Sequence, residues 1–302
     1  MVTSIANFVA VLVLAPLLPG VINKTKALVA GRTGPPLLQV YFDIAKLLRK
    51  GFVVSSTTTW VFLAGPVLSV VAPCVAALLL PLGGRPALLS FTGDMIFFVS
   101  VFALARFFVA AAAMDTGSPF EGMGAAREVT FSALAEPALL VGMLALTRMS
   151  GSLSLTGMFD MGAAAAWQKA SASIILILAS WFILLLAENA RVPFDDPTTH
   201  LELTMIHEVM VLDHAGPAFG FIVYGAALKL TVFAALLVTL LIPSRPGSHA
   251  LAFALFAGGL IGVSVVVGLV ESSMARLRLV RVPQLLVTAT LLAGFAVVLV
   301  LR

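Results

Sequence analysis

The chain has 302 residues, of which 61% are hydrophobic and 11% charged, and it carries a formal net charge of +4. A soluble domain of this size carries about 25% charged residues, so an aqueous fold is excluded and lipid is the solvent. The basic residues are dispersed among loops with no stripe, which excludes nucleic acid as a partner, and the single cysteine, Cys74, excludes an internal disulfide or a thiolate-held cluster.

A spanning helix needs about 20 mainly apolar residues, because lipid offers no hydrogen bond to a free backbone group. Such runs occur near Ile5 to Leu28, Trp60 to Leu82, Met95 to Ala113, Val129 to Thr147, Ile174 to Glu188, Phe219 to Ile242, Leu251 to Val270 and Leu285 to Leu301. The fifth is short and is expected to begin nearer Ala170. No Lys or Arg precedes the first run, so it lacks the basic start of a signal peptide and is read as a permanent span. The expected fold is an all-α integral membrane protein, residues 1–302 forming one polytopic domain of about eight transmembrane helices.

Between the first two spans, Pro35 to Leu48 places Leu37, Leu38, Tyr41, Phe42, Ala45 and Leu48 on one helical face. Gln39, Asp43, Lys46, Arg49 and Lys50 lie mostly on the other. The segment is too short to span and reads as an amphipathic helix at the cytoplasmic interface. Before it, Gly31-Arg32-Thr33-Gly34-Pro35-Pro36 breaks the preceding helix and sets a rigid corner.

The loops after spans one, three, five and seven hold Lys24, Lys26, Arg32, Lys46, Arg49, Lys50, Arg127, Arg191, Arg276, Arg278 and Arg281, and the alternate loops hold Arg85, Arg148, Lys169 and Arg245. The positive-inside rule therefore places the odd-numbered loops in the cytoplasm and both termini on the opposite side. Most acidic residues follow the same face. Either the protein works there, or those loops are simply longer.

Three ionisable residues sit inside apolar runs: Arg106, Glu136 and Lys229. Each costs several kcal/mol in lipid unless paired or hydrated. Arg106 and Lys229 can also snorkel to an interface. Glu136 has too short a side chain for that, and Pro137 after it loosens the local backbone.

The richest stretch is Glu188-Asn189-Ala190-Arg191-Val192-Pro193-Phe194-Asp195-Asp196-Pro197, continuing through His200, Glu202, His207, Glu208, Asp213 and His214. A short cytoplasmic helix is expected from about Thr198 to Leu212. His200, His207 and His214 would share its face, about 10 Å apart along the axis and too far for one metal ion. A titratable helix face is the better reading, against an ordinary solvated or subunit-facing helix. No nucleophile elbow, phosphate loop, dinucleotide fingerprint or metalloprotease helix is present. Catalysis, if any, is expected in other chains.

Gly31-Arg32-Thr33-Gly34-Pro35 with Leu38-Gln39, Asp43 and Lys46-Leu47-Leu48 resembles the signature after the first helix of the NADH dehydrogenase (complex I) subunit 1 family. Glu188, Arg191, Pro193-Phe194-Asp195, Pro197 and Glu202-Leu203 resemble its second signature. Arg276, Arg278, Arg281 and Gln284 resemble its Arg-rich loop. The run Asp195 to Thr204 followed by His207-Glu208 looks closer to the hydrogenase-4 component C and formate hydrogenlyase subunit 4 branch. Where complex I members carry further acids that help build the polar quinone cavity, this chain has Thr198 and His200.

The resemblance implies a non-catalytic heel subunit in a prokaryotic cytoplasmic membrane. It would dock hydrogenase-like large and small soluble subunits and an iron–sulfur subunit, and contact antiporter-like membrane subunits. Iron–sulfur clusters and the [NiFe] centre would reside in those partners, with no cofactor in this chain and quinone left open. Coupling would run through Glu128, Glu136, Glu188, Asp195, Glu202, His207 and Glu208, with Arg191 and Arg127 as counter-charges. Docking would use Arg32, Asp43, Lys46, Arg127, Arg276, Arg278 and Arg281. The alternatives are a quinone-binding subunit 1 of a proton-pumping NADH dehydrogenase, a stand-alone transporter and a passive anchor.

Overall fold

The computed structural model describes residues 2–160, 163–195, 205–242 and 248–301. The described elements are helices α1 (Val2–Leu14), α2 (Leu17–Val29), α3 (Gln39–Leu48), α4 (Trp60–Leu79), α5 (Asp94–Asp115), α6 (Pro119–Ser150), α7 (Leu155–Phe159), α8 (Ala163–Glu188), α9 (Gly216–Leu241), α10 (His249–Ser273) and α11 (Val282–Val300). Among the described residues, seven helices are long and apolar enough to cross a membrane, or eight with the bent pair α1 and α2 counted as one span. The fifth span begins at Ala170, where α8 leaves helical geometry (φ −138°, ψ 35°).

The first span is broken in mid-course, with its halves bent by 44°. Pro16 has no N–H, so the Leu12 carbonyl loses its helical donor. An orphan carbonyl inside a bilayer must be satisfied from elsewhere. The chain contains two tyrosines, and both serve this break. Tyr224 of α9 donates to Leu12 O at 3.1 Å, and Tyr41 of α3 donates to Val13 O at 2.5 Å.

Helix α6 has 32 residues, a length of about 48 Å against a hydrocarbon core of about 30 Å. Its first turns therefore project or tilt out of the bilayer. Pro119 pre-sets its first turn, and Gly151, at φ 70°, ends it by donating to Thr147 O at 2.8 Å. Helix α9 is the most enclosed span, packed against α4, α8 and α10. Gly225 of α9 lies so close to the Ser69 backbone that an added Cβ would collide with it. Small residues of this kind let helices approach where lipid removes the hydrophobic drive between them. Phe98, Phe102 and Phe233 continue the core, with ring centroids 5.2 and 5.3 Å apart.

The expected helix from Thr198 to Leu212 is not formed over its described part. Met205 is irregular and Glu208–Val211 is a single 3-10 turn; residues 196–204 lie outside the described set. The reason is local: the Asp195 carboxylate accepts the backbone N–H groups of Ile206 at 2.9 Å and His207 at 3.2 Å, holding the chain in a loop. The amphipathic helix after the first span is present as α3, starting at Gln39 rather than Pro35.

Candidate functional site

Four spans bring charged side chains to one point. Arg106 of α5 donates from Nη1 to Glu136 Oε1 at 2.5 Å and from Nη2 to both Glu188 oxygens, at 2.8 and 2.9 Å. Lys229 of α9 meets Glu188 Oε2 at 2.7 Å. Glu128 of α6 lies 3.7 Å from Arg106 Nε, whose N–H has no hydrogen-bond partner. Arg106 follows the start of α5 by twelve residues, about 18 Å along the axis, so it is deep within its span. The side chains of Arg106 and Glu188 are 9% and 7% exposed. Snorkelling therefore does not describe Arg106 or Lys229; both are pairing residues, because a buried ion without a counter-ion costs several kcal/mol.

A cavity of about 80 Å³ opens beside the cluster, lined by Arg106, Glu128, Glu188, Lys229, Asn189 and His207 together with apolar groups. At about 10–15 Å³ of accessible space per water it has room for several, and the polar wall suits them. A void of about 20 Å³ reaches from Glu188 and Glu128 towards Asp195 and Ile206. Another, of about 10 Å³, reaches from Arg106 and Glu188 towards Glu136. Glu188 lines all three, so it stands where the loop side, the main cavity and the mid-membrane carboxylate meet.

A second network lies beyond the end of α8. Glu271 of α10, its side chain 0% exposed, is 2.9 Å from Lys26 of α2 and 3.5 Å from Arg191. Neither Glu271 oxygen has hydrogen-bond geometry to a partner, so charge rather than directed bonding holds this group. Asp195 pairs with Arg276 at 2.9 Å, and Leu277 N–H donates to Pro193 O at 2.9 Å. Between the networks, Arg191 N–H donates to Leu186 O at 2.9 Å and Ala190 N–H to Ala187 O at 3.2 Å, closing α8. Ala190 has φ 49°. Glycine is usual at that position, and a Cβ there costs about 1–2 kcal/mol.

The third grouping holds the segment whose His207 and Met210 line the cavity. Buried Glu121 accepts from Thr116 Oγ1 at 2.8 Å and from Asp213 N–H at 2.9 Å. His214 is buried, stacked on Phe62 at 4.1 Å, with Nε2 3.3 Å from Phe62 O. Burial pushes its pKa below the usual histidine range, opposed by the Phe62 carbonyl and by Asp213. The expected histidine face is thus corrected: His207 lines the cavity while His214 is buried against α4, and His200 lies outside the described residues.

The structure brings Glu128, Glu136 and Glu188 together around Arg106 and places His207 on the adjoining cavity. Glu208 opens the 3-10 turn, away from the cavity lining. Glu202 lies outside the described residues. Around the expected carboxylates, Arg106 and Lys229 serve Glu188 and Arg191 faces Glu271, while Arg127 donates to Met205 O at 2.8 Å. Of the expected docking residues, Arg32, Asp43, Lys46, Arg278 and Arg281 are exposed, whereas Arg276 is engaged internally by Asp195. Lys26, Glu121 and Glu271 were missed. Each lies at the end of a span, where a charge is usual and carries no signal of its own.

The family model for NADH dehydrogenase matches residues 2–302. The chain is 33% identical over 278 residues to formate hydrogenlyase subunit 4 of Escherichia coli (strain K12), covering 90% of this chain and 89% of that one. The chain belongs to the NADH dehydrogenase family. Hydrogenase-4 component C of the same organism is 32% identical over 240 residues, covering 80% and 75% of the two chains. The NADH dehydrogenase family fold also appears in the structure of the membrane-bound sulfane sulfur reductase, an archaeal respiratory membrane complex. One chain there superimposes with a TM-score of 0.83 at 19% identity, covering 99% of this chain and 98% of that one.

Proposed function

We propose that this chain is the membrane heel subunit of a complex I-like membrane-bound [NiFe]-hydrogenase of the formate hydrogenlyase type. It docks a soluble redox arm on its cytoplasmic odd-numbered loops and couples electron transfer there to proton translocation. The observation that carries this reading is the cluster of Arg106, Glu136, Glu188 and Lys229 within the spans, with Arg106 and Glu188 nearly enclosed, joined by small voids to the Asp195 loop. A passive anchor has no use for charges that cost several kcal/mol each in lipid. Electron arrival at a docked cluster changes the field over Asp195 and Glu188, and the Arg106 fork carries the change to Glu136. The Glu136 side chain is 34% exposed at the outer surface of the bundle, where an antiporter-like subunit would meet it. The [NiFe] centre and the iron–sulfur clusters belong to the partner subunits.

The first experiment is a gentle detergent pull-down with mass spectrometry and nickel analysis. Nickel with hydrogenase-like large and small subunits is expected; NADH-oxidising subunits without nickel would overturn the hydrogenase assignment. In vesicles of the intact complex, Glu136→Gln is expected to keep hydrogen evolution and abolish proton uptake. Unchanged uptake would remove the coupling role.

One observation favours a second reading. The main cavity combines the charged groups with Phe102, Met210 and Ile222, a polar end and apolar walls that suit a quinone head group. In that case quinone analogues inhibit the complex competitively.

A further inference from the structure

We propose that Arg191 is a transferable counter-ion, which leaves Glu271 for Glu188 when negative charge accumulates in the cavity. The two ion networks are unbalanced in opposite senses. Among the described residues, Glu128, Glu136 and Glu188 face two cations, Arg106 and Lys229, whereas Glu271 alone faces both Lys26 and Arg191. Moving Arg191 across neutralises both, because Lys26 stays 2.9 Å from Glu271.

Three further features fit such a move. The Arg191 contact with Glu271 is long, 3.5 Å, and lacks hydrogen-bond geometry. Glu188 and Arg191 are three residues apart across the turn that ends α8, so the exchange joins neighbouring positions of one short segment. Ala190 between them holds a left-handed backbone that suits glycine. A static reading assigns this turn the ordinary task of ending α8. It leaves the opposite charge surpluses on either side of it without consequence.

The exchange deepens the coupling reading, and its test uses stability alone, so either can fail without the other. A double-mutant cycle on the full chain in lipid nanodiscs combines Glu188→Gln with Glu271→Gln and reads the thermal midpoint. Among the described residues the two networks share no ion pair, and sites without a shared partner give additive shifts. Exchange predicts that the shifts fail to add by about 2–4 °C, and that additivity returns in an Arg191→Gln background but not in Arg191→Lys. Additive shifts overturn the proposal, as does a non-additivity that survives Arg191→Gln. Should Glu188→Gln fail to fold, Glu128→Gln lowers the same negative surplus, and the same outcomes decide.

Discussion

Replacing Glu188 by Gln removes the carboxylate that receives Arg106 Nη2 at 2.8 Å and Lys229 Nζ at 2.7 Å. Arg106 keeps Glu136, and Lys229 loses the partner it has. Glu188 is 7% exposed, so water screens little of the interaction, and removing one member of such a buried pair costs about 3–5 kcal/mol. At about 2–4 °C per kcal/mol, the midpoint of thermal unfolding should fall by roughly 6–20 °C in detergent or nanodiscs. Most of that loss belongs to the abandoned cation. Adding Lys229→Met should therefore recover a large part of it, because an apolar side chain of similar volume needs no partner. A fall below about 2 °C in the single variant, or a further fall in the double variant, would refute the account of the cluster as a desolvated, mutually compensated set.

His214 is held neutral by burial, so below its unfolded pKa of 6.5 the unfolded chain binds the extra proton; stability is full above that value and declines as pH falls through it. His214→Phe should keep the stack on Phe62 and flatten the pH dependence of the unfolding midpoint below about pH 6.5. Tyr224→Phe and Tyr41→Phe each orphan a carbonyl at the break in the first span and should cost about 1–3 kcal/mol. In a Pro16→Ala background the Tyr224→Phe loss should shrink, since alanine there restores an N–H for Leu12 O, and thermal unfolding of the four variants checks this. Gly225→Ala drives a methyl into the Ser69 backbone and should destabilise by about 1–3 kcal/mol. It would also part α4 from α9, which a lower melting point with altered thiol labelling of Cys74 would report.

The spans were legible because lipid imposes one simple requirement, about 20 apolar residues in succession, and the described helices fall on the expected runs. The break at Pro16 was written in the chain as a proline inside an apolar run, although the run from Ile5 to Leu28 was read as one permanent span. That two tyrosines from distant segments would cap its carbonyls was not, because residues 41 and 224 carry no local mark of that contact. The segment after Asp195 shows the reverse error. Its local pattern suits a helix, and a carboxylate eleven residues before Ile206 takes the N–H groups that a helix would need.

Which carboxylates matter was partly legible as well. Glu136 announced itself by the cost of a short acid in lipid, and Glu188 by its place in a recognisable motif. The counter-charges of Glu188 did not: the resemblance implied Arg191 and Arg127, whereas Glu188 takes Arg106 and Lys229 from α5 and α9.

By itself, then, the sequence determined the solvent, the apolar runs that form the spans and the residues too costly to bury without purpose, since each follows from local composition or spacing; the family came from the resemblance of its motifs. Only the tertiary structure decided which charge answers which, where water-sized space lies and which histidine reaches it. Ion pairing in a bilayer is set by distances between helices that lie 30 to 82 residues apart in the chain, and hydropathy carries no information about that separation.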